Sequence, residues 1–428
     1  MTRVIGVEVD CPFTPGMLKK VVHAGSQSAS FAAATKDLEA LAEVKVSRER
    51  VARWTKRTGQ DRIAHVDTAA AQYEALSLPA RRKSPTDQVP QVACVMMDGG
   101  RIQIRDRSAE PKAGQVKGYW RESLVGCCVS MASDQHAEDP CPTIPKTFVD
   151  PQRMSDLSRE IKGFSAHPET TAELPEDSPD DRPAKPQVLV RSVTATRAGA
   201  DTLGRRLVAD AHQRGFSAAK RKVLVADGAA TNWSVHRKHF SDYTAIVDFT
   251  HAVCYVWTAA MAGRPSPEAW SDYTRWAQLL WSGQVDRLIA AVEIRQQQLG
   301  SPPEGEETSP AAQVAKTLVY LTNQRTRMKY DEYRKAGLPI TSSHIESTVK
   351  QINRRVKGSE KFWDQGAEPL LQLAADHISE TNDFDQFWAR RHRDLAIMRC
   401  YQTAACIPQC AGYTHAGAMN WRAVAAPS

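Results

Sequence analysis

The sequence predicts an α/β fold: a mixed sheet flanked by helices, interrupted by an all-helical insertion and preceded by a helical N-terminal domain. Three observations carry this. Short apolar runs rich in β-formers recur between residues 91 and 248: "QVACVMMDGGRIQIRD", "GYWRESLVGCCVSM", "QVLVRSVTA", "RKVLVADG" and "YTAIVDFT". The last three alternate with amphipathic helical stretches, the pattern of an α/β sheet. Residues 252 to 340 then carry almost purely helical periodicity.

Composition bounds the class. A chain of 428 residues with 42% hydrophobic and 25% charged residues suits a soluble globular protein of more than one compact unit. No apolar run approaches the roughly 20 residues of a membrane span. The N-terminus "MTRVIGVEVDCPF" lacks the basic and long apolar regions of a signal peptide, so a cytoplasmic location without membrane contact is expected. Nine cysteines without regular spacing argue against a disulfide framework. "CYQTAACIPQC" with His415 matches no standard zinc spacing, and reduced structural thiols are expected there. The net charge of +7 is modest, so the location of the positive residues matters more than their sum.

Taken in order, residues 1–88 read as an N-terminal helical region and linker. Phe31, Ala34, Leu38, Leu41 and Ala42 follow helical spacing, "EVKVS" breaks it, and Ser47 is a good N-cap for a second helix. That helix turns Val51, Ala52 and Trp54 inward and Arg48, Arg50, Arg53, Lys56 and Arg57 mostly outward. Helix, short turn and basic helix form the helix-turn-helix pattern, whose second helix enters the DNA major groove. An ordinary helical hairpin with a solvated basic face fits the same residues. A helical stretch from 64 then leads into the linker "LPARRKSPTDQVPQ".

Residues 89–251 carry the strands. The first two flank the polar loop at 107–117, and 132–186 forms a Pro-rich, acidic excursion with some disorder expected. A third strand, the helix "GADTLGRRLVADAHQRGF", a fourth strand, the short helix "TNWSVHRKHF" and a fifth strand follow. In the helical insertion at 252–340, Trp257, Trp270, Trp276 and Trp281 read as packing between helices. Residues 341–385 return to the core with a helix carrying Glu346, and 386–428 form a C-terminal tail. Three strands in a meander followed by alternating helices and strands resemble the RNase H-like fold.

Three acids stand out by context. Asp98 sits within or at the end of the first strand, Asp227 ends the fourth, and Glu346 lies near the start of its helix. Asp98-Gly99 also reads as a hairpin turn. However, the loop at 107–117 already supplies a turn, which favours a mid-strand or bulged carboxylate with Gly99 and Gly100 leaving space beside it. Asp227 fits a left-handed turn and helix entry equally well, and Glu346 fits an ordinary first-turn acid behind an N-cap at Ser342 or Ser343. As a set, carboxylates beyond strand ends repel unless a divalent cation lies between them. Oxygen ligands suit Mg²⁺ or Mn²⁺, and two such ions clamp an in-line phosphoryl displacement.

"MDGG", "VADGA" followed by "VDFTH", and "SSHIESTVKQINRRVKG" together resemble the DDE transposases of bacterial insertion sequences, nearest the ISKra-like group related to Mutator-type enzymes. The resemblance covers roughly residues 25 to 385. It implies that Asp98, Asp227 and Glu346 hold two Mg²⁺ (or Mn²⁺) ions and converge in one cluster. Asp248 and His251 would be auxiliary, His251 near the scissile phosphate, although a core histidine bonded to a carbonyl fits it too. His344 would also approach the phosphate. The basic residues Lys350, Arg354, Arg355, Lys357 and Lys361, on or after the Glu346 helix, would then neutralise DNA phosphates. Trp363 reads as packing or as a base-stacking platform. The resemblance further implies binding of terminal inverted repeats and target DNA, a homodimer or higher oligomer, and a bacterial, nucleoid-associated setting. A non-catalytic, domesticated DNA-binding regulator and another RNase H-like nuclease are the competing expectations.

Overall fold

The computed structural model describes residues 11–105, 118–164, 166, 185–264, 267–358, 361–363 and 366–393. Asp106, the expected loop at 107–117, the acidic stretch at 168–181 and the three cysteines of the tail lie outside these residues. Lys20–Phe384 is one compact unit, and the described residues at the two chain ends belong to a second.

In chain order the first elements are α1 (Pro15–Gln27), α2 (Phe31–Ala42), α3 (Arg48–Ala75), α4 (Leu78–Arg82), β1 (Val92–Arg105) and β2 (Gly118–Ala132). Next come α5 (Pro151–Lys162), β3 (Gln187–Thr196), α6 (Ala200–Gln213), β4 (Arg221–Ala226), α7 (Ala230–His239) and β5 (Thr244–Val247). The helices α8 (Phe249–Met261), α9 (Pro267–Trp281), α10 (Val285–Leu299), α11 (Pro310–Gln324) and α12 (Tyr330–Lys335) follow. α13 (Ser343–Val356), β6 (Phe362–Trp363) and α14 (Ala367–Ile378) complete the unit.

The protein is therefore mixed α/β, with the sheet order β3-β2-β1-β4-β5 and β6 paired to β1. β1, β2 and β3 are antiparallel neighbours, whereas β4 and β5 add in parallel. Val92 to Met97 of β1 are buried without alternation, as expected of a central strand covered on both faces. Side chains alternate across β2. Cys127 faces Thr348 of α13, while Cys128 Sγ reaches the Leu207 carbonyl of α6, and a Cβ on Gly126 would meet Leu207 at 2.5 Å. Helices α13 and α6 thus cover opposite faces.

The N-terminal helices begin as their caps dictate. Ser30 accepts from Ala33 N, Ser47 accepts from Arg50 N, and Glu43 in the left-handed region (φ 55°) ends α2. The second helix is long and its inner face is packed. It runs unbroken through 28 residues, and its inner face packs on α14 and α6. Gly59 permits this approach, since a Cβ there would sit 2.8 Å from the Pro369 carbonyl oxygen. Beside it Arg62 and Asp376 form a buried ion pair at 2.9 Å. No proline interrupts 48–75, so the helical stretch expected from 64 continues α3 without a break, and within the expected linker Leu78–Arg82 forms the short helix α4.

The excursion after β2 is partly a packed strap. Asp150 caps α5 on Arg153 N, Pro151 takes the first turn, and Gly163 (φ 67°) closes it. Phe148 meets Phe249 edge-on at 5.0 Å, and Trp281 Nε1 donates to the Cys141 carbonyl at 2.7 Å. The insertion's Trp257, Trp276 and Trp281 are all buried between helices, whereas Trp270 is half-buried against Trp257.

Candidate functional site

The register of the parallel strands aligns three carboxylates. Met97 of β1 pairs with Ala226 of β4, and Ala226 pairs with Val247 of β5. The next residue on each chain is an aspartate: Asp98, Asp227 and Asp248. The three therefore form a row just past the last parallel pairs, at the carboxyl ends of the strands, where an α/β sheet opens a crevice. β1 itself continues beyond Asp98, pairing Asp98 with Val125 of β2 and, further on, Gln103 with Phe362 of β6. Asp98 is a mid-strand residue in regular pairing, neither a hairpin apex nor a bulge.

Each side chain is held by a different device. Asp98 Oδ1 accepts the Gly99 N–H at 2.7 Å. Gly99 and Gly100 do not leave the open space expected: a Cβ on Gly99 would lie 3.2 Å from Glu122 Oε1, and one on Gly100 3.0 Å from Ser123 Oγ. Asp227 Oδ1 accepts from Ala229 N and from Asn232 Nδ2, both at 2.9 Å. Asp248 is fully buried at the N-cap of α8, where Oδ1 accepts from Thr250 N at 2.5 Å. Its Oδ2 accepts the Ser342 N–H at 2.7 Å and also the Ser342 hydroxyl. Ser342 occupies the N-cap position of α13, but its hydroxyl serves Asp248 rather than its own helix. The end of β5 is thereby tied to the start of the helix bearing Glu346.

Electrostatics follow from this crowding. Burial raises the Asp98 carboxyl to about 6, and the Asp227 and Asp248 charges add to that while the Gly99 N–H and His251 oppose it. Burial, Asp248 and Asp98 likewise raise Glu346. Asp248 moves the other way: burial is outweighed by His251 and the Ser342 hydroxyl and N–H, which hold it below the usual carboxylate range. His251 is raised to about 9, because Asp248, Asp227 and Glu346 together outweigh its burial. Its Nδ1 lies 3.7 Å from Asp248 Oδ2 and 3.9 Å from Glu346 Oε1. These are ion-pair separations beyond hydrogen-bond reach, so the imidazolium is held by charge.

Among the described residues, Asp248, His251 and Glu346 form a group whose ligand atoms all lie within 4.8 Å of one another, close enough to hold a metal ion. The expected single cluster of Asp98, Asp227 and Glu346 is not of that closeness among these residues. Asp98 accepts the next N–H of its own strand and Asp227 an N–H of its own loop, and their coupling to the group is through charge. Sequence reasoning missed Ser342 as the partner of Asp248 and Asn232 as the partner of Asp227. His344 belongs elsewhere: its charged neighbours are Arg191, Lys185 and Glu380.

The basic residues separate into surface and interior groups. Arg48, Arg50, Arg53 and Arg57 are exposed on the first turns of α3, and Lys56 is half-buried with its stem against Gly366. On α13, Lys350 pairs with Glu160 of α5 at 2.5 Å, and Arg354 is exposed. Lys357 is exposed beside the Trp120 ring. Arg355 does not face outward as expected. It is buried, donates to the Gly25 carbonyl at 3.0 Å and lies over the rings of Phe31 and Trp363. The α13 register forces this, because Ile352 and Val356 on the same side are core residues. Lys361 Nζ caps the end of α13 on the carbonyls of Arg354 and Arg355, and Trp363 packs inside, donating to Val356 O at 2.6 Å.

Among the described residues no helix is long and apolar enough to cross a membrane. A scan against protein-family models and a search of curated proteins return no match.

Proposed function

We propose that the chain is a DDE-type transposase: an RNase H-like core that cleaves and joins DNA strands at the terminal inverted repeats of an insertion sequence. The observation that carries this reading is the register row, Asp98 and Asp227 on adjacent parallel strands, with Glu346 approaching from a helix packed on β1. The strand order β3-β2-β1-β4-β5, antiparallel then parallel, agrees with an RNase H-like core.

The donor set fits a hard divalent cation. Asp98, Asp227 and Glu346 offer carboxylate oxygens, and Asp98 and Glu346 are raised first by burial and further by neighbouring carboxylates, both of which a bound cation would offset. These three residues would hold two Mg²⁺ or Mn²⁺ ions. The chemistry supplied there would be Lewis-acid stabilisation of phosphodiester charge and a lowered pKa for an attacking water or hydroxyl. The remaining residues act around them. Asp248, through Ser342, fixes the start of α13 and hence the approach of Glu346. His251, charged at neutral pH, is a proton donor suited to a departing alkoxide. Arg48, Arg50, Arg53 and Arg57 on α3, with Arg354 and Lys357 near the site, supply phosphate contacts. Pairing two DNA ends calls for a homodimer or larger assembly, and the setting is the bacterial cytoplasm beside the nucleoid.

The test is strand cleavage and transfer on DNA carrying the inverted repeats that flank the gene, with Mg²⁺. D98A, D227A and E346A should each abolish both reactions. Retained cleavage in any of the three ends the reading. Sequence-specific binding without metal-dependent cleavage by the unaltered chain would instead favour a DNA-binding regulator.

A further inference from the structure

The loop that carries Asp227 is gripped from the helical insertion. Tyr320 and Gln324 stand one turn apart on α11 and so share a face. The Tyr320 hydroxyl donates to the Asp227 carbonyl at 3.0 Å, and Gln324 Nε2 donates to the Gly228 carbonyl at 2.9 Å. The amide is oriented unambiguously, because its Oε1 accepts from Arg327 at 2.9 Å. Arg327 in turn lies over the ring of Trp233, on the helix that leaves the same loop. Gly228 fits this grip on two counts: its φ is +102°, and a Cβ would lie 2.8 Å from Tyr320 Cε2. Behind Tyr320 the column continues. Tyr255 stacks on it at 3.7 Å and 12°, and Lys162 of α5 lies 3.3 Å over the Tyr255 ring.

We infer that Tyr320 and Gln324 are positioning residues for the Asp227 carboxylate, so that the helical insertion sets the metal affinity of the site. This rests on the reading of Asp227 as a metal-holding residue. The two sides of the loop divide the work. Ala229 N and Asn232 aim the carboxylate itself, whereas Tyr320 and Gln324 fix the backbone from which it projects. Both carbonyls taken by α11 belong to consecutive peptide units, so the loop cannot rotate about Asp227 without losing one of them. Groups that orient a ligand in this way typically change metal affinity about 10–100-fold when removed.

The experiment is Mn²⁺ titration of the full chain by calorimetry, with Y320F, Q324A and D227A beside the unaltered protein. Y320F keeps the ring and the stack and removes only the hydroxyl, and Q324A is an independent cut of the second bond. Both should weaken Mn²⁺ binding about tenfold. Circular dichroism and the metal-free Tm should stay near those of the unaltered chain. High Mn²⁺ should restore strand cleavage in both, as a merely structural lesion would not allow. D227A should lose the tight site outright. If D227A loses it while Y320F and Q324A bind as the unaltered chain does, the positioning role is wrong. If D227A itself binds normally, the metal reading of Asp227 fails instead.

Discussion

Asp98 and Asp227 are neighbours in register, each one residue past the parallel pair Met97–Ala226. Strand pairing alone therefore brings two negative charges side by side at the floor of a crevice. Burial and that proximity set the Asp98 carboxyl at about 6 instead of 3.8, which makes its ionisation a cost to the fold. The sign follows. The native state binds the Asp98 proton more tightly than the unfolded chain, so its contribution to stability falls as pH rises from about 4 to about 6 and stays low above that. D98N should therefore raise stability at pH 7.5, by on the order of 1–3 kcal/mol, while removing activity. Near pH 4 the advantage should vanish. Urea unfolding at both pH values checks it, and a variant less stable than the unaltered chain at pH 7.5 would contradict the account.

His251 should change in the same direction but over a higher pH range, losing a stabilising charge where Asp98 gains a destabilising one. Its pKa is raised from 6.5 to about 9 by the carboxylates around it, so the charged imidazole stabilises the fold fully below 6.5. That contribution is lost as pH climbs through about 9. H251Q should be less stable than the unaltered chain at pH 6, by on the order of 1–3 kcal/mol. The two should converge by pH 10. Denaturant midpoints across this range measure the gap; a gap that persists unchanged to pH 10 would assign the effect to packing instead.

The sequence carried the strand frame and the acids but not their closeness. "VACVMM" had to be a central strand because it is apolar without alternation, and Asp98 could be read as mid-strand because a second turn signal followed it. The row of Asp98, Asp227 and Asp248 was also legible in principle, since each aspartate directly ends the apolar run of its strand. What the sequence could not supply was partner choice across the fold. Ser342 reads as a helix cap from its neighbours, yet its hydroxyl turns to Asp248, a residue far away in the chain. Arg355 reads as one of a basic run, yet the turn of α13 buries it. The excursion after β2 suffered similarly: its Asp-Pro cap and closing glycine announced α5, but only the insertion it packs against gave it a face to bury.

The Asp248–Ser342 link makes a separate claim. A buried carboxylate that loses one of its donors keeps its charge with less compensation, which costs about 1.5–3 kcal/mol for a charged hydrogen bond. S342A should therefore lower stability by that amount at pH 7. It should also weaken strand cleavage, because the first turn of α13 would then be tied to Asp248 only through the backbone N–H of position 342. S342T, which restores the hydroxyl, should recover most of both. Cleavage at the level of the unaltered chain in S342A would separate Glu346 from this tie.

The two faces of α13 should part company under mutation. Arg355 is buried, with its guanidinium on the Gly25 carbonyl and between the rings of Phe31 and Trp363, and burial lowers its pKa to about 10. R355A leaves that carbonyl unpaired and removes the packing of a long side chain. It should cost about 2–4 kcal/mol in stability while leaving the salt dependence of DNA binding unaltered. Arg354 and Lys357 are exposed on or just after the same helix, and each R354Q or K357Q change should do the reverse. Stability should hold to within about 0.5 kcal/mol, as is usual for surface changes. The slope of log affinity against log salt should become shallower by about one for each phosphate that the variant no longer neutralises. Fluorescence anisotropy with labelled DNA over a range of salt concentrations reads the slope, and urea unfolding reads the stability. If R355A altered the slope as much as R354Q does, the buried arginine would have to be counted among the DNA-binding residues, and the α13 register inferred from its core residues would be wrong.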